Sequence, residues 1–122
     1  MCCTHRREKG LGYSHLSKRE LVVATGQFPV SKDIGGNLSY IVTLMRKAKE
    51  KGADVIHFSE SSLSGYAGVD FERFEEQNET LLRHALKQIF ALAARLKIWV
   101  IVGSHYYDGE NDLPYNLFMY HL

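Results

Sequence analysis

Apolar positions along the chain switch repeatedly between short continuous runs and a helical period, and each switch marks an element. Leu21-Val22-Val23-Ala24-Thr25 is a short, partly β-branched run closed by Gly26-Gln27-Phe28-Pro29, the form of a buried strand ending in a turn. Asn37 follows Gly35-Gly36 as an N-cap, and Leu38, Ile41, Val42, Met45 and Ala48 then recur at helical spacing. Lys47, Lys49 and Lys51 occupy the last turn, where cations suit the helix dipole, and Gly52 supplies the left-handed stop. Asp54-Val55-Ile56-His57-Phe58 reads as a second strand, followed by a loop of serines and glycines over 59–70. A long helix begins at about Phe71 or Asn78 and runs to Leu96, with Leu82, Ala85, Leu86, Ile89, Phe90, Ala93 and Leu96 on one stripe. Ile98-Trp99-Val100-Ile101-Val102 is the third strand, stopped by Gly103. After the polar turn Asp108 to Asp112, Tyr115 to Tyr120 reads as a fourth strand, hairpin-paired with the third.

Strand, helix, strand with short joins implies βαβ units and parallel pairing, so the fold class is α/β. The 122 residues suit one domain or a piece of one. The chain halts inside an apparent strand, at Phe118-Met119-Tyr120-His121-Leu122. That ending makes a domain truncated after its fourth strand the expected architecture, because compact domains usually trail off in polar residues.

Charge narrows the partners. Fifteen Lys and Arg against fourteen Asp and Glu leave a net of +1, which argues against nucleic acid as a partner. No apolar run approaches the roughly 18 residues of a membrane span. Residues 1–20 hold five Lys or Arg against two Asp or Glu and lack a secretory apolar core, so they read as a flexible basic leader before a domain over 21–122. The two cysteines are adjacent, at Cys2 and Cys3, which excludes a disulfide framework and favours a reducing, cytoplasmic setting. With His5 they have the ligand types of a metal site but no fixed geometry, and no metal is expected. Neither a Walker A loop nor G-x-G-x-x-G follows the first strand, so a nucleotide-binding domain is disfavoured and no cofactor is expected.

In open α/β sheets chemistry gathers at the carboxyl ends of the strands. Here those ends offer Gln27-Phe28, Ser59-Glu60 and Ser104-His105. Glu60 is the leading candidate, since a carboxylate directly after a buried strand can act as a base near neutral pH. The competing reading is an ordinary solvated loop glutamate. His105 is a lesser candidate at a strand end, whereas His57 reads as a sheet-face residue and His84 as surface. No serine sits in a nucleophile-elbow context.

The segment Val55-Ile56-His57-Phe58-Ser59-Glu60-Ser61-Ser62-Leu63-Ser64-Gly65-Tyr66 resembles the first signature of the nitrilase (carbon–nitrogen hydrolase) superfamily, in which a strand ends in Pro-Glu and Gly-Tyr follows. The surrounding order agrees. An opening strand ends in Gln27, an Asn-led helix ends in Lys51-Gly52-Ala53-Asp54, and Val100-Ile101-Val102-Gly103 and Tyr115-Asn116 follow. The resemblance covers Leu21 to Leu122 and implies the N-terminal part of an αββα sandwich of twice this length or more. It implies hydrolysis of a small amide or carbamoyl compound, or less often a nitrile, with a Glu base, a Lys that stabilises the tetrahedral intermediate and a Cys that forms a thioester. Glu60 alone carries over, as the base, with Phe28 and Tyr66 as candidate pocket-mouth residues. Ser59 stands where the family has proline. The family's Lys and Cys follow the strand of Tyr115-Asn116, so Lys87, Lys97, Cys2 and Cys3 are not their counterparts. The resemblance thus implies an inert fragment of an enzyme, homo-oligomeric in full-length form. The alternative is a non-catalytic short form that acts as a protein-interaction module.

Overall fold

The computed structural model describes residues 2–7 and 20–121. Its elements are β1 (Cys2–Arg7), β2 (Leu21–Gly26), α1 (Ile34–Glu50), β3 (Val55–Phe58), a 3₁₀ turn (Phe74–Glu76), α2 (Glu79–Leu96), β4 (Trp99–Tyr106) and β5 (Tyr115–His121). The sheet has five strands in the order β1-β2-β3-β4-β5. β2, β3 and β4 are parallel, as the βαβ pattern requires, and β1 and β5 flank them antiparallel. The β4–β5 pairing runs from Tyr106 opposite Tyr115 to Val100 opposite His121, the hairpin expected around the Asp108 turn. Asp108 closes that turn by accepting from the backbone N–H groups of Glu110 and Asn111 at 2.9 and 3.1 Å. Those bonds hold its carboxyl below the ordinary range.

Both helices cover one face of the sheet and pack on each other. Ile41, Leu44, Met45 and Ala48 of α1 meet Leu82, Ala85, Ile89 and Ala93 of α2 over Ala24, Ile56, Phe58, Val100 and Val102. A fully buried aliphatic or aromatic side chain of this kind contributes about 1.5–3 kcal/mol. Side chains alternate between the faces of a strand, so His57, Trp99, Phe118 and Tyr120 point the other way. Trp99 is 49% exposed, Phe118 52% and Tyr120 68%, and the His57 and Phe118 rings lie 5.7 Å apart there. One face of the sheet is therefore covered and the other open.

Four expectations need correction. Residues 1–20 are not wholly a flexible leader, because Cys2–Arg7 pairs residue by residue with β2 and satisfies the backbone groups of its outer edge. Met1 and residues 8–19 lie outside the described residues, as do the side chains of Cys2, Cys3 and His5. Asn37 is not the N-cap: α1 starts at Ile34 after Asp33, and Asn37 is buried within it. Gly103 does not stop the third strand, which continues through it to Tyr106. His105 consequently lies inside β4 and is buried. Of the two starts for the second helix, Asn78 holds, since its side chain accepts from the Leu81 N–H at 3.0 Å as the N-cap.

Candidate active site

β3 ends at Phe58 and delivers Ser59-Glu60-Ser61-Ser62 to the carboxyl edge of the parallel strands. The backbone there is tightly specified. Ser61 has φ +53°, a conformation that costs a non-glycine residue about 1–2 kcal/mol and so needs support from its surroundings. That support comes from β4. The Gly103 carbonyl accepts from the Leu63 N–H at 3.0 Å and from Ser62 Oγ at 3.4 Å. Gly103 lets the two chains approach closely: a Cβ there would lie 2.5 Å from Ser61 N and 2.6 Å from Ser59 O.

From the helix side Asn37 reaches the same loop. Its Nδ2 donates to the carbonyls of Ser31 and Leu63 at 2.7 and 2.9 Å, and its Oδ1 accepts from the Ser31 N–H at 3.0 Å. Farther along, Gly65 has φ +80° and packs so closely that a Cβ would lie 2.7 Å from the Ser31 carbonyl oxygen, a position only glycine fills without strain. Tyr66 and Asp70 then close a turn, with the Tyr66 N–H donating to Asp70 Oδ2 at 2.7 Å.

A partly buried polar chain anchors the far end of the loop. Gln77 Nε2 donates to the Ser64 carbonyl at 2.7 Å, while its Oε1 accepts from the Tyr107 hydroxyl at 2.7 Å and lies 3.2 Å from His105 Nδ1. The two bonds that fix the Gln77 amide make Nδ1 the protonated nitrogen of the ring. The His105 N–H donates to Ser64 Oγ at 3.1 Å, and Phe71 and Phe74 meet the His105 ring edge-on at 5.7 and 5.3 Å. Burial pushes the His105 pKa down, which keeps the imidazole neutral. Burial, and then the charges of Glu79 and Glu75, push the Tyr107 phenol up. This histidine therefore fastens the loop within the fold.

Glu60 itself is exposed. Its Oε1 accepts from Asn116 Nδ2 at 2.5 Å, and the Asn116 Oδ1 in turn accepts from Ser61 Oγ at 3.2 Å. Asn116 stands on β5 in step with Phe118 and Tyr120, so the carboxylate lies at the open face of the sheet. The structure does not bring Phe28 to it. The Phe28 ring stacks on Tyr40 at 5.1 Å and meets Phe58 edge-on at 6.3 Å, on the helix-covered side. Tyr66 is 45% exposed in its turn. A shallow depression of about 310 Å³ bordered by Lys32, Asp33, Phe71, Glu76 and Gln77 lies elsewhere on the loop and excludes Glu60. Lys97 precedes β4, at the opposite edge of the sheet, roughly 15 Å along the strands from Glu60. Among the described residues no group of His, Cys, Asp and Glu could hold a metal ion, and no helix is long and apolar enough to cross a membrane.

The sequence pattern pointed to no site role for Gln77, to Asn37 only as a cap, and to Asn116 only as half of the Tyr115-Asn116 pair. Asn116 did carry a signal, as an amide residue inside an otherwise apolar strand, where asparagine is normally depleted. Asn37 and Gln77 had none beyond capping and loop chemistry.

A mixed sheet with helices on one face and a carboxylate at the carboxyl end of a central parallel strand defines an α/β protein of the nitrilase type, and solved structures share that fold. The NitFhit protein of C. elegans superposes with a TM-score of 0.61 at 20% identity, over 80% of this chain and 24% of that one. A glutamine-dependent NAD(+) synthetase from Cytophaga hutchinsonii gives 0.59 at 18% identity, over 81% of this chain and 16% of that one. The chain thus spans about a quarter and a sixth of the lengths of these two proteins. The family model for carbon-nitrogen hydrolases matches residues 22–120, and the chain belongs to that family. No curated protein sequence matches it.

Proposed function

We propose that this chain is the base-bearing part of a hydrolase for non-peptide carbon–nitrogen bonds, acting on a small amide or carbamoyl compound and less readily on a nitrile. The observation that carries the reading is the placement of Glu60. Its carboxylate stands at the carboxyl end of β3, one oxygen held by Asn116 and the other, Oε2, without a hydrogen-bond partner among the described residues. An oriented carboxylate with a free oxygen at a strand end suits a general base. In this role Glu60 takes the proton of a thiol, the thiolate adds to the amide carbon, and the returned proton leaves with the amine as a thioester forms. An ammonium beside the developing oxyanion lowers that barrier.

The thiol and the ammonium belong to residues outside 1–122 in this reading. Cys2 and Cys3 precede β2, and Lys87 lies on α2, which covers the face of the sheet opposite Glu60. Residues 1–122 alone are then inert, and the whole protein is a cytoplasmic homo-oligomer that needs no cofactor. Tyr66, exposed in its turn, is the remaining candidate for the pocket mouth, since Phe28 packs on Tyr40 and Phe58 on the helix side. A second reading, a non-catalytic short form that binds a partner protein, is favoured by the open face with Trp99, Phe118 and Tyr120.

The test is ammonia release from a panel of small amides, N-carbamoyl compounds and nitriles. The polypeptides compared are residues 1–122, the product of the whole reading frame, and that product carrying Glu60→Gln. Turnover by the whole product, falling about 10²–10⁴-fold in the variant as expected for a lost general base, supports the reading. Undiminished turnover in Glu60→Gln refutes the base assignment. A reading frame that ends at Leu122 with no turnover favours the interaction module.

A further inference from the structure

We infer that Asn116 is a positioning residue that sets the orientation of the Glu60 carboxylate, with Ser61 bracing the Asn116 amide from its oxygen side. The inference rests on the reading of Glu60 as a base and deepens it. An exposed glutamate has three rotatable side-chain bonds, and a free one spends little time in any single orientation. Here two elements far apart in sequence fix it. Asn116, 56 positions after Glu60, donates from Nδ2 to Oε1 at 2.5 Å.

An asparagine amide can present either its oxygen or its nitrogen to a neighbour, and only the nitrogen attracts a carboxylate. The carboxylate, which only accepts, makes that choice. The Ser61 hydroxyl donates to the Asn116 Oδ1 at 3.2 Å and braces the amide with Nδ2 facing Glu60. The left-handed backbone of Ser61, φ +53°, directs this hydroxyl across to β5. It gives a role to the strained residue beside the candidate base, and to an asparagine within an otherwise apolar strand. One carboxylate oxygen is thereby occupied and the other left to take a proton. Ser61, Asn116 and Glu60 form one relay from the loop to Oε1, which leaves Oε2 as the reactive oxygen.

The geometry is testable in residues 1–122 without any turnover. In ¹⁵N-resolved NMR spectra the two Asn116 side-chain amide protons separate strongly, because one is bonded to Glu60. Glu60→Ala narrows that separation most, and Ser61→Ala narrows it less as the amide gains freedom. A separation no larger than that of a solvated asparagine, or one left unchanged by Glu60→Ala, overturns the inference.

A kinetic test on the product of the whole reading frame separates this inference from the reading beneath it. Asn116→Ala lowers kcat about ten- to hundredfold, the range for loss of a hydrogen bond to a charged group. KM stays unchanged, and Asn116→Ser, which keeps a donor, restores part of the rate. Should Asn116→Ala fail to fold, Ser61→Ala carries the same test, with a smaller fall in kcat. A product inactivated by Glu60→Gln but indifferent to Asn116→Ala and Ser61→Ala overturns the positioning role alone. Full activity in Glu60→Gln overturns both readings.

Discussion

Adding one methyl group at Gly103 should pry the Glu60 loop from the sheet. The nearest atoms to a Cβ at that position are Ser61 N at 2.5 Å, Ser59 O at 2.6 Å and Glu60 C at 2.9 Å. All three are backbone, so no rotamer change relieves the clash and the loop itself must move. Overpacking of this kind costs about 1–3 kcal/mol. Displacement also stretches the bonds from the Leu63 N–H and Ser62 Oγ to the Gly103 carbonyl, each worth about 1 kcal/mol. Gly103→Ala is therefore expected to destabilise the fold by about 2–4 kcal/mol. In urea, with a slope of about 2 kcal/mol/M, the midpoint should drop by roughly 1–2 M.

The same variant reports on the site, because a shifted loop carries Ser61 and Glu60 away from Asn116. The Asn116 side-chain amide resonances should move toward those of a solvated asparagine while the resonances of α1 and α2 stay in place. A Gly103→Ala protein within about 0.5 kcal/mol of wild type, the range of an inconsequential surface change, refutes the argument if its Asn116 resonances are also unchanged.

Two further outcomes follow from the pins on the same loop. Asn37→Ala leaves the buried Leu63 carbonyl without the donor it has at 2.9 Å, and urea unfolding should show a loss of about 1–3 kcal/mol, with faster amide exchange over 61–65 but not in α2. His105 is held below its ordinary pKa by burial. The unfolded chain therefore binds the His105 proton more readily, and stability is full above the unfolded value of about 6.5 and declines as pH falls toward the folded value. Urea midpoints at pH 7.5 and 5 should differ more for wild type than for His105→Asn, and equal differences count against the buried neutral ring.

The sequence carried those parts of the fold that depend on local periodicity. β2, β3, α1, α2 and β5 follow from apolar spacing, and the parallel order of β2, β3 and β4 follows from the short joins. What escaped it depends on distant neighbours. Gly103 looks like a strand stop, because nothing local says that another backbone lies against it. Asn37 after two glycines has the local form of a cap, yet its partners are Ser31 and Leu63, the latter 26 residues away. Cys2–Arg7 lacks strand alternation and becomes a strand through the free edge of β2. For the site, Glu60 was legible from its place after a strand, while Asn116 needed the hairpin register that brings β5 beside it.

A division of labour within residues 59–77 connects stability to chemistry. Ser61, Ser62 and Ser64 are buried with Leu63, an unusual amount of polar matter for a core, and each burial is tolerable only because a partner is supplied. The partners come from three separate elements: Asn37 on α1, Gly103 and His105 on β4, and Asn116 on β5. A loop tied to three elements cannot drift relative to the sheet without breaking several bonds at once. Glu60 stands in that run with its backbone fixed but its carboxylate exposed. A carboxylate fully buried in the same loop would meet a large desolvation penalty, and one on an untied loop would lack a defined position. The buried serines around Glu60 supply the rigidity that an exposed, reactive carboxylate cannot supply for itself.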